Sequence, residues 1–549
     1  MEELDESINN GKDSDNDDDD NTFYEGTGYI LSGKALEKLR SNDPKLTSIN
    51  LGEEFQVECL CHLLTTKELC VKAGNFIGSN THLDSLLIPV EGCQVMMNDY
   101  SENYSEFLRG VANNRSLTVL DLGYLPDDSD AVHILGQLFR NSALTELSFE
   151  NCNGHHIYLL ASSLSRTNNE RGTLKHLSLD GTREANPIED YNSAKLIKTL
   201  TKYHCLETFT LKWTTINERS SRRISSMLSN PNCTLKELTL EYNEFNDESF
   251  SVFANGMLEN STLQMLNLKG SEHVSAEGWV NFFGTLRPAK MGTLHTICLD
   301  NNNINDEGVA IFAEIFANNN TLKKLSLSQN MLITTAGWQT LASIFLNTRS
   351  AIHSIDTVNE NDSFDDDAVI AWANALFTSK NNKLKRLQFV PLTITDRGWS
   401  ALENLVCNKS SVDDMYDSNH ILQLQWLMYI GDEAEINLYK QVPKGMRSYK
   451  KFECDIPMLR TYHTSEYDAA LHKIIHFYFK KGEANMKDLL DMELNVIVHA
   501  IARMGSFAGA DYGGRKLLYQ LIRSVPSLFD VSSSNRKKRK EGLKDHYVR

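Results

Sequence analysis

A chain of 549 residues is long enough for two to four ordinary domains or for one elongated array. Its 41% hydrophobic and 23% charged content is that of a folded protein, and no run of about 18 apolar residues is present to cross a membrane. Ten cysteines without a disulfide framework and an opening MEELDESINN with no secretory character point to a reducing compartment, cytoplasm or nucleus, and argue against a disulfide-stapled secreted protein.

The net charge of −18 is unevenly placed. Residues 1–25 carry eleven acids against one base, Lys12, and are expected to form a disordered tail, because so polar and self-repelling a stretch cannot bury enough surface to offset its ordering entropy. Residues 26–116 hold two weak copies of a pattern that becomes clear later, starting at Leu46 and Leu83, and read as an irregular N-terminal cap.

From Leu117 the pattern L-x-x-L-x-L recurs with first positions Leu117, Leu144, Leu174, Leu206, Leu235, Leu263, Leu294, Leu322, Ile352 and Leu384. The spacings run from 27 to 32 residues, and a further weak copy starts at Val412, so residues 117–425 form one repeat array. Each copy opens with strand-like alternation and closes with a helical period: Phe250, Phe253, Ala254 and Met257 share a helix face, as do Trp338, Leu341, Ala342 and Phe345. Several copies place Asn eight residues after the first leucine (Asn243, Asn302, Asn330), where its amide is expected to satisfy backbone groups in the turn leaving the strand. Gly-Trp pairs at Gly278-Trp279, Gly337-Trp338 and Gly398-Trp399 suggest indoles packed between alternating units.

Residues 426–530 change to helical periodicity, for example Leu494, Ile497, Val498 and Ile501, and read as a block that closes the open end of the array. Residues 531–549 contain a cationic cluster, Arg536, Lys537, Lys538, Arg539 and Lys540, a candidate nuclear import signal.

Stretches such as TLKELTLEYNEFNDESFSVFANGML and TLHTICLDNNNINDEGVAIFAEIF resemble leucine-rich repeats of the long, ribonuclease-inhibitor-like subtype over roughly residues 44–425. The block DMELNVIVHAIARMG with LLYQLIRSVPSLFD resembles a segment that follows such repeats in proteins of diatoms and related algae, and brings no activity with it. The resemblance implies an α/β fold: a curved leucine-rich-repeat solenoid, with a parallel β-sheet on the concave face, helices on the convex face and a helical C-terminal cap. The physics agrees, since neither the strand nor the helix of a unit can bury its apolar face alone.

Alternation then assigns the third, fifth and seventh positions of each copy to the concavity. Glu146, Glu150, Asp180, Glu237 and Glu241 line it against one base, Lys212, with Trp213 and Tyr242 at its margin. Beyond Met265 the lining turns basic, with Lys269, Lys324 and Arg386 against Asp300. These acids and aromatics are the candidate surface for a protein partner carrying a basic patch or helix.

No chemistry competes with that reading. His472 and His476 stand one helical turn apart, but Lys473 occupies the place of a general base and no third ligand follows. GADYGGRK has Arg515 where a phosphate loop needs Lys and no Ser or Thr after it, Cys59 and Cys61 are too close for a metal loop, and NENDSFDDDA lacks the Gly and terminal Glu of a calcium loop. The expectation is therefore a monomeric, non-enzymatic scaffold with no cofactor, metal or small-molecule substrate and no membrane contact. The acidic balance argues against nucleic acid. The alternative is a GTPase-activating regulator resembling the Ran GTPase-activating proteins, which use this repeat subtype. Their acidic segment follows the repeats, whereas here it precedes them.

Overall fold

The computed structural model describes residues 29–30, 38–50, 67–88, 101–123, most of 131–407, and 422–426. The acidic segment 1–25, residues 427–530, the basic segment 531–549 and the motifs around His472, Gly509 and Cys59 lie outside the described residues. The chain divides into two compact units, Met1–Ser363 with Gln388–Val390, and Phe364–Leu387 with Pro391–Arg549.

In the first unit, each strong copy supplies one strand. β1 (Tyr29–Ile30), β2 (Ser48–Asn50), β3 (Ser85–Ile88), β4 (Val119–Leu122), β5 (Glu146–Cys152) and β6 (His176–Gly181) are followed by β7 (Thr208–Lys212), β8 (Glu237–Thr239) and β9 (Met265–Asn267). β10 (Thr296–Cys298), β11 (Lys324–Ser326) and β12 (Ser354–Thr357) complete the series. Every strand pairs in parallel with its neighbour in sequence. The stretch expected as an irregular cap therefore contributes β1, β2 and β3 to the same sheet.

The register is that of the leucines. Leu120, Leu147, Leu177, Phe209, Leu238, Leu266, Ile297 and Leu325 face one another strand by strand, and all are buried. Their helical partners are α1 (Lys67–Ser79), α2 (Ser101–Val111), α3 (Ala131–Asn141), α4 (Gly154–Arg166), α5 (Asp190–Leu200), α6 (Glu218–Leu228), α7 (Asp247–Met257), α8 (Ala276–Thr285) and α9 (Asp306–Phe316). The unit beginning at Leu322 has a helix in two pieces, α10 (Thr335–Leu341) and α11 (Ser343–Leu346), with Trp338, Leu341, Ala342 and Phe345 all buried. Strands about 4.8 Å apart and helix axes about 8–10 Å apart cannot stack straight, so the sheet takes the inside of the bend. This is an α/β leucine-rich-repeat solenoid.

Two hydrogen-bond devices tie one repeat to the next. The first is the expected asparagine. Asn302 accepts from the Ser271 backbone N–H (2.8 Å) and donates to the Leu268 (3.1 Å) and Leu299 (2.9 Å) carbonyls. Asn243 makes the same kind of bridge between Thr214 and Leu211, and Asn330 donates to Leu299 and Leu327. These asparagines are buried, so each satisfies groups that water cannot reach.

The second device gives the glycine of the Gly-Trp pairs a role of its own, beside the buried indoles that the sequence leads one to expect. The carboxylate of Asp306, at the start of α9, accepts from the Thr334 N–H (2.8 Å) and hydroxyl (2.5 Å) at the N-cap of the following helix. Asp247 does the same for Ser275 at the head of α8. A Cβ on Gly337 or Gly278 would collide with that Asp carboxylate. The glycine makes room for the preceding repeat's aspartate, while Trp279 and Trp338 behind it are fully buried.

The second unit repeats the device on its own helices, α12 (Asp366–Thr378) and α13 (Asp396–Cys407). Asp366 accepts from the Thr395 N–H (2.8 Å) and hydroxyl (2.5 Å) and from the Gly398 N–H (3.0 Å). Trp372, packed edge-on to Phe364 at 5.4 Å, and Trp399 are buried there. β13 (Arg386–Phe389) falls at the division between the units, and β14 (Gln423–Trp426) lies in the second.

Candidate functional site: the strand face and its aromatic margin

Strand pairing aligns the solvent-facing side chains of the first unit in rows. One row runs Val119, Glu146, His176, Thr208, Glu237, Met265, and a second runs Asp121, Ser148, Ser178, Thr210, Thr239, Asn267. Between β3 and β8 these rows line a cleft of about 480 Å³, whose walls include Leu87, Val119, Asp121, Glu146, Ser148, His176, Ser178 and Glu237. Glu146 and Glu237 are exposed and take part in no ion pair among the described residues. His176 Nδ1 lies 3.0 Å from the Thr208 hydroxyl, which fixes the ring along the sheet.

Asp121, absent from the sequence-derived candidates, belongs to this cleft. Burial pushes its carboxyl above the usual range, the negative charge of Glu146 adds to that, and a hydrogen bond with Ser148 works the other way. One of its oxygens is buried without a hydrogen-bond partner among the described residues. The signal that could have found it is the same register: Asp121 is the fifth position of the copy that starts at Leu117.

The third row lies at the C-terminal ends of the strands, and its acids are already engaged within the sheet. Lys212 Nζ sits 3.7 Å from Asp180 and 3.4 Å from Glu241, and Glu241 also accepts from the Asn267 side chain at 2.5 Å. Asp300 accepts from the Ser326 hydroxyl (2.5 Å) and the Ser328 N–H (2.8 Å), so its carboxylate is committed to its own sheet. Glu150 is half-buried on β5. Of the eight candidate residues, Glu146 and Glu237 share the cleft. Asp180 and Glu241 share Lys212, and Trp213 and Tyr242 share the margin.

At that margin lies a feature no local motif announces. The residue seven places after the first leucine adopts a left-handed backbone in the copies starting at Leu144, Leu206, Leu235, Leu263, Leu294 and Leu322: Asn151 (φ 48°), Trp213 (54°), Tyr242 (53°), Gly270 (73°), Asn301 (55°) and Gln329 (56°). Its N–H reaches across to the next repeat: Trp213 donates to the Glu241 carbonyl (3.2 Å), Tyr242 to Lys269 (2.7 Å) and Gly270 to Asp300 (2.9 Å). Large side chains seldom accept this conformation. Here the rings of Trp213 and Tyr242 stack in parallel, centroids 4.2 Å apart and planes 4° from coplanar. A Cβ on Gly270 would run into the Tyr242 ring. Tyr242 is therefore held between Trp213 and the Gly270 backbone, and both aromatics are half-buried instead of exposed.

Lys269 adds a cation 5.5 Å from the Tyr242 ring centroid. Burial works against its charge, but Tyr242, Asp300 and Glu241 outweigh that and hold its pKa above the ordinary lysine value.

No protein-family model matches the chain, and no curated protein matches it. Among solved structures, a chain of the Rad7 and Elc1 complex in yeast is similar, at 13% identity over 68% of this chain and 79% of that one, with a TM-score of 0.35. So distant a likeness bears no weight, and the fold assignment rests on the repeat and the sheet it builds. Among the described residues no group of three or more His, Cys, Asp or Glu side chains could hold a metal ion, and no helix is long and apolar enough to cross a membrane.

Proposed function

We propose that this chain is a non-enzymatic protein-interaction scaffold, and that its strand face between β4 and β8 receives a partner bearing a basic patch or helix. The observation that carries this reading is the cleft lined by Asp121, Glu146 and Glu237, whose negative charges meet no lysine or arginine inside it. The Trp213–Tyr242 stack stands beside that surface as a rigid amphipathic shoulder, of the kind that anchors interfaces. Acids at the rim raise encounter rate and set orientation more than they raise affinity.

The repeat length favours the ribonuclease-inhibitor-like subtype with relatives among diatoms and related algae, and a monomer acting in the cytoplasm or nucleus. Residues 536–540 would serve as the import signal, and neither nucleic acid, membrane nor small-molecule substrate is engaged. The test is affinity capture from native extract with Glu146→Lys/Glu237→Lys, alongside Trp213→Ala. Charge reversal is expected to abolish capture of basic partners that the unaltered chain retains, and capture at low salt is expected to weaken as salt rises. An identical partner list for the reversed variant would sink the reading.

A further inference from the structure

The cleft on the strand face differs from one end to the other. The fifth-position row that runs through it is made of small hydroxyls at Ser148, Ser178, Thr210 and Thr239, but begins at Asp121. In the register Asp121 stands between Leu87 of β3 and Ser148 of β5, and Val119 precedes it on the same face of β4. Leu87 and Val119 are half-buried and line the cleft, so this corner has an apolar wall beside its carboxylate.

Asp121 is short of donors there. Ser148 takes one carboxylate oxygen, whereas Oδ1 is buried with no hydrogen bond among the described residues. Glu146 lies one strand over and two positions back, a Cα separation of about 8 Å for strands about 4.8 Å apart rising about 3.3 Å per residue. Burial, and then the charge of Glu146, hold the Asp121 carboxyl above its usual range. Among the described residues lining the cleft there is no lysine or arginine. A buried acceptor without a donor is costly, and two neighbouring carboxylates ask for that donor to carry positive charge.

We infer, resting on the protein-scaffold reading above and narrowing it, that this corner is a subsite for one lysine side chain of the partner. Its stem lies along Leu87 and Val119, and its ammonium sits between Asp121 and Glu146. Geometry favours lysine over arginine. A guanidinium fork seeks both oxygens of one carboxylate, and Asp121 has one of them committed to Ser148. An ammonium is a point charge with three donors, which Asp121 Oδ1, Glu146 and the Ser148 hydroxyl can accept one each. A methylene stem under a charged head is also what an apolar wall beside a carboxylate suits. Acetylation of that lysine removes the charge and so empties the subsite.

Methyl-resolved NMR of the full chain tests this, titrating hexalysine, hexaarginine or hexa(Nε-acetyl-lysine) at about 0.15 M salt. The Leu87 and Val119 methyls report the subsite, and exposed Leu332 in the same unit is the control. Peptide taken up elsewhere on so acidic a chain leaves these methyls unmoved. Hexalysine is expected to shift both at a concentration about threefold below that needed for hexaarginine, and the acetylated peptide to shift neither. Asp121→Asn, which keeps the shape of the side chain, is expected to raise the hexalysine midpoint about tenfold and erase the preference. Glu237→Lys, three strands from Glu146, probes the wider cleft and is expected to weaken both basic peptides while keeping the preference for lysine. If Glu237→Lys weakens both and Asp121→Asn changes neither, the subsite is overturned and the acidic cleft stands. If only Asp121→Asn acts, the subsite stands and the wider cleft falls. Equal shifts by hexaarginine, shifts by the acetylated peptide, or unmoved Leu87 and Val119 methyls would each overturn the subsite on the unaltered chain.

Discussion

Gly270 is the residue on which two demands converge. Its φ of 73° suits glycine, and the space a Cβ would take is filled by the Tyr242 ring. Gly270→Ala should therefore destabilise by about 1–3 kcal/mol, read as a lowered urea midpoint. If the ring is half the problem, Tyr242→Ala in the same chain should recover part of that loss, with a coupling of about 1 kcal/mol in a double-mutant cycle. Simple additivity would mean that the backbone alone demands the glycine. Trp213 and Tyr242 tolerate the same left-handed slot for another reason: each N–H is taken by the next repeat's carbonyl, and the two rings bury each other's faces. The sequence could not announce this slot, because its occupants (Asn, Trp, Tyr, Gly, Asn, Gln) share no chemistry and only Gly and Asn favour positive φ on their own.

The N-terminal ends of α8, α10 and α13 are held by an aspartate of the preceding repeat. Asp306→Ala removes two hydrogen bonds to Thr334 and should cost about 1 kcal/mol, while Gly337→Ala should cost more than that loss, because the carboxylate must be expelled as well. In the second unit the same device titrates. Burial opposes the charge of Asp366, but hydrogen bonds from Thr395 and Gly398, with Arg397 nearby, outweigh it and hold the carboxyl below the usual carboxylate range. A group whose pKa is lower folded than unfolded contributes stability above the unfolded pKa and loses it as pH falls through the folded one. Asp366→Asn should thus be less stable than the unaltered chain at pH 7, and the gap in urea midpoint should close on acidification below about pH 4. A gap independent of pH would show that the carboxylate's charge is irrelevant. The comparison with sequence reading turns on distance along the chain. Leucine spacing fixed every strand from β4 to β12 because strand, register and core face all depend on residues within one copy. The role of Gly337 was missed because its partner, Asp306, stands in the previous copy, where no window of helical length includes both. Asp121 was legible from its own copy. The sharing of Lys212 by Asp180 and Glu241 needed the row across neighbouring strands.

Across the first unit these contacts reach one repeat forward or back and no further, so its stability is close to a sum of repeat terms and nearest-neighbour terms. Asn302 is the sharpest probe of that coupling. Its side chain serves Ser271 and Leu268 in the preceding repeat and Leu299 in its own, all in a buried layer. Asn302→Ala leaves the Ser271 N–H unsatisfied, while the Leu268 and Leu299 carbonyls keep the Ser271 hydroxyl and Asn330 as donors, so the expected cost is about 1–3 kcal/mol. Hydrogen exchange should then accelerate in the strands and turns of the copies starting at Leu263 and Leu294, and hardly at all in those starting at Leu144 and Leu174. Uniform acceleration throughout the unit would mean that it opens only as a whole, and that the asparagine bridge serves global cohesion. A local response would place the candidate strand face, built on β3 to β8, on a scaffold that keeps its shape when repeats on its C-terminal side are loosened. That independence is what a surface formed from single side chains of six successive strands requires.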